Sequence, residues 1–363
     1  MRHITMTSPM LRIIAPLLCV LYMNAAAAQT APSATAAAQP QLHAGKYERV
    51  LVHGKSLEGN LEGDSPDRMV SVYLPPSYAK NPARRYPVLY LLHGFTDSDS
   101  RWYGLQGPHF VNVPTAVDGA YKQGVTEMIV VTPDAYTKYW GSMYSNSVVV
   151  GDWERFVADD LVTYVDQHYR TLPHRESRGL AGHSMGGYGT IRIAMRYPEV
   201  FSSVYAMSPC CLSTNSNLDM DSVERAAKVK QLDELTDKDF FAKAVLATSV
   251  AWSPNPAHAP YYDLPAVDGK VVPEVLQRWA ANAPLITVHQ HVSDLKRLDA
   301  IAFDAGDQEQ FGGILVSVQA FDQVLTSYGI RHTTEIYPGD HTNHIAERLQ
   351  SKVLPYFSVH LKH

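Results

Sequence analysis

The sequence is poor in cysteine. Three occur in 363 residues, and two of them, Cys210 and Cys211, are neighbours. Adjacent cysteines cannot tie distant segments together, so the chain is no disulfide-stapled scaffold. The pair is expected as a strained vicinal disulfide or as two buried thiols. Charge is scarce as well, at 18% of residues with a net of -5. No long basic run occurs, which argues against a nucleic-acid partner. No repeat at solenoid spacing is visible, which excludes an array fold. The uncharged, mostly apolar run Ile13 to Met23 is too short to span a bilayer comfortably. What the chain does have is apolar residues, 45% of the total, enough for a sizeable core and too many for disorder.

The N-terminus has the three parts of a secretory signal peptide: Arg2 and Arg12, then the apolar run, then small residues at Ala25 to Ala28 before Gln29. Cleavage after Ala28 would discard residues 1–28, including Cys19. Pro16-Leu17-Leu18 before Cys19 lacks the small residue of a lipoprotein site. A periplasmic or secreted protein is expected, with no stable membrane insertion after signal removal. Residues 29–44, rich in Ala, Pro, Gln, Ser and Thr, read as a flexible leader. Residues 45–363 read as one domain.

Within that domain, strand and helix patterns alternate. Tyr47 to His53 and Arg68 to Leu74 predict an antiparallel pair. Pro87 to Leu92 is continuously apolar, as a strand buried on both faces should be, and Met128 to Val131 is similar. Trp153 to Tyr169 has the spacing of an amphipathic helix. Arg178 to His183 predicts a strand and Met185 to Tyr197 a helix, stopped by Pro198. Phe201 to Met207, Ala300 to Phe303 and His332 to Tyr337 predict further strands. Val316 to Tyr328 and Ile345 to Val359 predict helices. This alternation implies a mostly parallel sheet with helices on both faces. From about 211 to 284 the pattern breaks into polar helices and Pro-rich turns, read as a cap-like insertion of thin apolar content.

Gly182-His183-Ser184-Met185-Gly186 matches G-x-S-x-G between a strand and a helix, the context of the α/β-hydrolase nucleophile elbow. The turn strains the serine backbone, and glycine removes the Cβ atoms that would clash. Ser184 is the candidate nucleophile, and the Met185 amide can donate to an oxyanion. A second donor is expected after an earlier strand, where Leu91-Leu92-His93-Gly94-Phe95 offers the Phe95 amide. The serine needs a base and the base an acid, in the chain order Ser, acid, His. His341 and His344 follow the last expected strand. His341 lies in the loop itself and is preferred. Asp304, Asp307 and Glu309 follow the preceding strand, and spacing does not separate them.

These segments resemble the family named Putative esterase, which includes esterase D (S-formylglutathione hydrolase), feruloyl and acetyl-xylan esterases, and the mycolyltransferases. The likeness runs from about 45 to 358. It rests on Tyr73-Leu74-Pro75-Pro76-Ser77-Tyr78, Tyr86 to Gly94, Asp160-Leu161 with Tyr169-Arg170-Thr171, and Ala181 to Gly189. The resemblance implies an acid three residues after a glycine. From Gly306 that residue is Glu309, where most of the family has Asp and the mycolyltransferase branch has Glu. Asp307 is its rival. The resemblance also implies the base in Gly339-Asp340-His341 and backbone oxyanion donors at Phe95 and Met185.

The expected function is therefore ester hydrolysis through an acyl-enzyme, on feruloyl or acetyl esters, small or polysaccharide-linked. An acyltransferase on the same site and a non-catalytic binding protein on the same fold are the alternatives. The aromatic residues Trp102, Tyr136, Trp140 and Tyr144 (with Tyr139) are expected to line an acyl or aryl pocket, or else to pack their loop on the sheet. No cofactor or metal is expected. His289 with His291, and His341 with His344, have zinc-compatible spacings, but surface or catalytic roles fit them better.

Overall fold

The computed structural model describes residues 44–214 and 218–363. The signal-peptide and leader readings fall outside them, save for Ala44. An eight-stranded sheet forms the centre. Its strands are β1 (Lys46–His53), β2 (Asp67–Leu74), β3 (Val88–Leu92), β4 (Ile129–Pro133), β5 (Arg178–His183), β6 (Ser203–Met207), β7 (Ala300–Gly306) and β8 (Thr333–Tyr337). The spatial order is β1-β2-β4-β3-β5-β6-β7-β8. β1 pairs antiparallel with β2, and β2 antiparallel with β4. Every other pairing is parallel.

Side chains alternate between two cores, as the pleat requires. Val88, Tyr90 and Leu92 of β3 enter one core, and Leu89 and Leu91 the other. All five are buried, so this strand reads as an unbroken apolar run. The first core lies under α2 (Leu161–His168), α3 (Met185–Arg196) and α7 (Ile314–Ser327). The second lies under α1 (Val113–Lys122) and α8 (Leu354–His360).

Two details differ from the sequence pattern. The helix from Trp153 contains a π-helical turn at Phe156–Asp160, and the C-terminal helix contains one at Leu349–Val353. Helix α1 had no counterpart in the periodicity reading. Its signals are local: the Asn112 side chain accepts from the Thr115 amide, and Pro114 sits in the first turn.

The insertion contains α4 (Met220–Lys228), α5 (Phe240–Trp252) and α6 (Pro273–Ala280). The expectation of polar helices with thin apolar content is corrected by α5. Leu246, Ala247, Val250, Ala251 and Trp252 are buried and join the first core. The segment is therefore anchored to the same core as the sheet.

Candidate active site

Ser184 stands between β5 and α3 at φ 56°, ψ -115°. Positive φ is costly for a residue with a Cβ, so the surroundings must impose it. They do so through the backbone. The Ser184 amide donates to Met207 O at 3.0 Å, and Ser184 O accepts from the Cys210 amide at 3.2 Å and the Tyr188 amide at 2.9 Å. Two glycines make the approach of neighbours feasible. A Cβ on Gly182 would lie 2.3 Å from Gly186 O, and one on Gly186 would lie 2.1 Å from Leu92 O. A side chain at Gly182 would collide with the first turn of α3, and one at Gly186 would push α3 off β3.

The loop after β3 brings Gly94 and Phe95 beside the serine. The Phe95 amide donates to no backbone acceptor among the described residues. The Met185 amide opens α3 and has no acceptor within the helix. Both are thus available to an oxyanion. The loop is held from behind. His93 is fully buried; its Nε2 accepts from the Ala135 amide at 2.8 Å, so Nδ1 is left to donate to Gly94 O at 2.8 Å. The Thr96 amide donates to Trp140 O at 3.0 Å, and the Tyr144 hydroxyl donates to His93 O at 3.2 Å. Gly141 lies against Phe95 and Met185; a Cβ there would come within 2.7 Å of both side chains.

That arrangement favours the second of the two expectations, packing of the loop, for Trp102 and Tyr144. Trp102 is fully buried and donates through Nε1 to Asp97 at 2.7 Å. Tyr144 is buried under the oxyanion loop, and Trp140 supports the same loop. None of Trp102, Tyr136, Trp140 or Tyr144 lines the cavity at Ser184. Tyr136 and Trp140 instead line an adjoining polar cavity of about 540 Å³ with Arg49, Arg101, Asp134 and Lys243. Trp102 and Tyr144 thus pack into the core, while Tyr136 and Trp140 face the second cavity.

The cavity that holds Ser184, Met185, Phe95 and His341 has a volume of about 620 Å³. Its aromatic walls come from Phe110, Phe240, Phe241, Trp252, Trp279 and Phe311. Four of these belong to the insertion. The periodicity reading missed them because it treated that segment as a polar cap, although Phe240-Phe241, Trp252 and Trp279 were visible signals.

His341 lies in the loop after β8, and its Nδ1 is 2.7 Å from Glu309 Oε2. Both side chains are buried, 6% and 1% exposed. The Glu309 carboxylate also accepts from the Phe311 amide at 3.1 Å, and the His341 amide donates to Gln310 Oε1 at 3.2 Å. A proton on Nδ1 held by the carboxylate leaves Nε2 as the free basic nitrogen. Asp307 does not reach the ring. It is exposed and accepts from the Gly339 amide at 3.1 Å, fixing the turn out of β8. Asp304 is fully buried and bound to Arg348 at 2.7 Å and to the Tyr205 hydroxyl at 2.8 Å. Burial pushes its pKa up. Of the three carboxylates, Glu309 is the one brought to His341.

His183, within the elbow motif, donates through Nε2 to His341 O at 2.8 Å. Burial, with a contribution from His341, pushes its pKa down to about 3. It is a neutral strut between the serine strand and the histidine loop. His344 pairs with Glu347 at 3.0 Å on the surface. His289 and His291 take separate partners, Tyr328 and Asp294. Among the described residues no group of three or more His, Cys, Asp or Glu side chains is placed to hold a metal, and no helix is long and apolar enough to cross a membrane.

The sheet order, the elbow and the buried His-Glu pair define an α/β-hydrolase. A solved ferulic acid esterase superposes with a TM-score of 0.59 at 22% identity, covering 87% of this chain and 99% of that one. The family model described as Putative esterase matches residues 65–345, and the chain belongs to that family. An esterase of Mycobacterium tuberculosis is 34% identical over 144 residues, 38% of this chain and 28% of its own length. The S-formylglutathione hydrolase of Paracoccus denitrificans is 28% identical over 163 residues, 40% of this chain and 53% of its own. The chain thus spans about a quarter to a half of the length of these relatives.

Proposed function

We propose that the protein is a serine esterase. The observation that carries the reading is one cavity that exposes a strained elbow serine, two unspent amides and a histidine already oriented by a buried carboxylate. His341 takes the proton of Ser184 as the oxygen attacks an ester carbonyl. The amides of Phe95 and Met185 hold the oxyanion. His341 then protonates the departing alcohol, leaving an acyl-enzyme. Water, deprotonated by the same nitrogen, releases the acid and restores Ser184. Glu309 keeps Nδ1 protonated and stabilises the imidazolium.

The walls support an acyl group with an aromatic ring, of the feruloyl kind. Phe110, Phe240, Trp252 and Trp279 offer apolar faces, and the volume is in the usual range for small-molecule sites. The polar cavity shares Thr96, Arg101 and Phe240 with the first, so it can take the alcohol end, a sugar included. Export to the periplasm or medium belongs to the same proposal, supported by the N-terminal signal pattern.

Two measurements test this reading. Ser184→Ala should abolish hydrolysis of p-nitrophenyl acetate and labelling by a fluorophosphonate; retained activity would overturn it. A panel of acetyl, long-chain and feruloyl esters should show the highest kcat/KM for feruloyl.

A further inference from the structure

Cys210 and Cys211 lie outside the chemistry just described, yet both line the cavity of Ser184. Both are free thiols, half-buried, with the sulfurs 2.6 Å apart and Cys211 Sγ donating to Cys210 Sγ. The pair is wired to the nucleophile. The Cys210 amide donates to Ser184 O at 3.2 Å, so the backbone that carries one sulfur also holds the strained serine. Cys211 itself has φ 62°, a turn that faces both side chains toward the same wall. Trp279 and Phe311 line the same cavity, so a change at the two sulfurs alters the space open to anything bound beside Ser184.

We propose that Cys210 and Cys211 form a dithiol modification site that low-molecular-weight disulfides oxidise, and that ring closure slows the reaction at Ser184. The regulation rests on the esterase reading; the modification does not. The Cys211 thiolate attacks one sulfur of a disulfide RSSR and expels RS⁻, giving a mixed disulfide. Cys210 then loses its proton to solvent and attacks the Cys211 sulfur, expelling the second RS⁻. The thiolates take up the released protons. The balance is two protein thiols and RSSR to one ring disulfide and two RSH. Contact with Cys211 and burial push the Cys210 thiol well up, so Cys211 makes the first attack; once Cys211 is held in the mixed disulfide, its share of that effect on Cys210 is gone. The new ring contains the peptide bond between the two residues. The Cys210 amide that holds Ser184 is bonded to that ring at the Cys210 Cα, so closing the ring shifts its anchor, and small displacements of a reacting group are costly.

The test equilibrates the purified protein in a series of oxidised and reduced glutathione. Alkylation and peptide mass spectrometry follow the 210–211 peptide, and kcat/KM is measured in parallel on p-nitrophenyl acetate. The expected result is loss of two hydrogens, about 2 Da, from that peptide. It is accompanied by a fall in kcat/KM of about tenfold, reversed by a dithiol reductant. Cys211→Ser should lose both the mass change and the redox response, whatever its basal rate. No mass loss, or a ring that forms while kcat/KM holds, would overturn the proposal. If the reduced protein hydrolyses no ester, the esterase reading fails, while the mass readout still decides whether the ring forms.

Discussion

Two histidine-carboxylate pairs border the same cavity. His341 meets Glu309 through Nδ1 at 2.7 Å. His109 meets Asp97 through Nε2 at 3.2 Å, and its Nδ1 lies 3.5 Å from the Val111 amide. Residue types and partners match, yet only one pair can act as a base. His341 keeps Nε2 for the cavity. His109 has both nitrogens committed, and its carboxylate is also held by the Trp102 indole. The difference teaches that a buried His-Asp or His-Glu contact is not in itself a catalytic signature. What matters is which ring nitrogen is left over.

The largest effect should come from removing the free nitrogen. His341→Ala is expected to lower kcat/KM by about 10⁴-fold or more, with the fold retained by circular dichroism. His109→Ala should cost far less, about tenfold or under, because it removes a support rather than the base. Equal losses would break the comparison. Next in size is the carboxylate. Glu309→Gln should lower kcat by about 10³–10⁴-fold by allowing the wrong tautomer. Asp97→Asn should leave kcat within about tenfold and register instead as a lower Tm, since it weakens a buried hydrogen-bonded cluster.

A smaller effect concerns pH. The folded state holds His183 neutral down to about pH 3, whereas an unfolded histidine titrates near 6.5. Between those values the unfolded chain binds the extra proton. Stability is therefore unaffected above pH 6.5 and falls as pH drops through that window, by up to roughly 1.4 kcal/mol per pH unit. Thermal melts from pH 8 to pH 5 should show a shallower slope for His183→Gln, which can still donate to His341 O. A slope unchanged by the substitution would remove His183 from the account. The smallest effect belongs to Asp307→Asn, which should cost about 1 kcal/mol of stability and leave kcat within about threefold. A larger kcat loss would move the acid role from Glu309 toward Asp307.

Much of this was legible in the chain, and the legible parts share a cause. The elbow could be read because its glycines answer a local demand: Gly182 and Gly186 have no room for a Cβ. The sheet could be read because strands buried on both faces must be apolar throughout, as β3 is. Glu309 could not be separated from Asp304 and Asp307 by spacing, since all three lie within six residues at the end of β7 and just after it. The choice is made by side-chain direction. Asp304 turns to Arg348, Asp307 to the Gly339 amide and Glu309 to His341. The aromatic residues were left between pocket and packing for a related reason. Trp102 and Tyr144 are buried in hydrogen bonds to Asp97 and His93, and Trp140 faces the second cavity. Four of the six aromatic wall residues arrive from 240–279, far along the chain, where no local pattern announces a shared cavity.

The absence of space at Gly186 has a consequence for how such a site can change over generations. A Cβ there would strike Leu92 O at 2.1 Å, so the spacing between the start of α3 and strand β3 is set by main-chain atoms. No single substitution can widen it by degrees. The insertion, by contrast, meets the cavity through exchangeable side chains such as Phe241 and Trp279. Change is therefore easier in the segment that meets the cavity through side chains than at the main-chain contacts of the elbow. Libraries confined to the cavity-facing positions of 240–279 should yield shifted substrate ranges on an unaltered reaction centre.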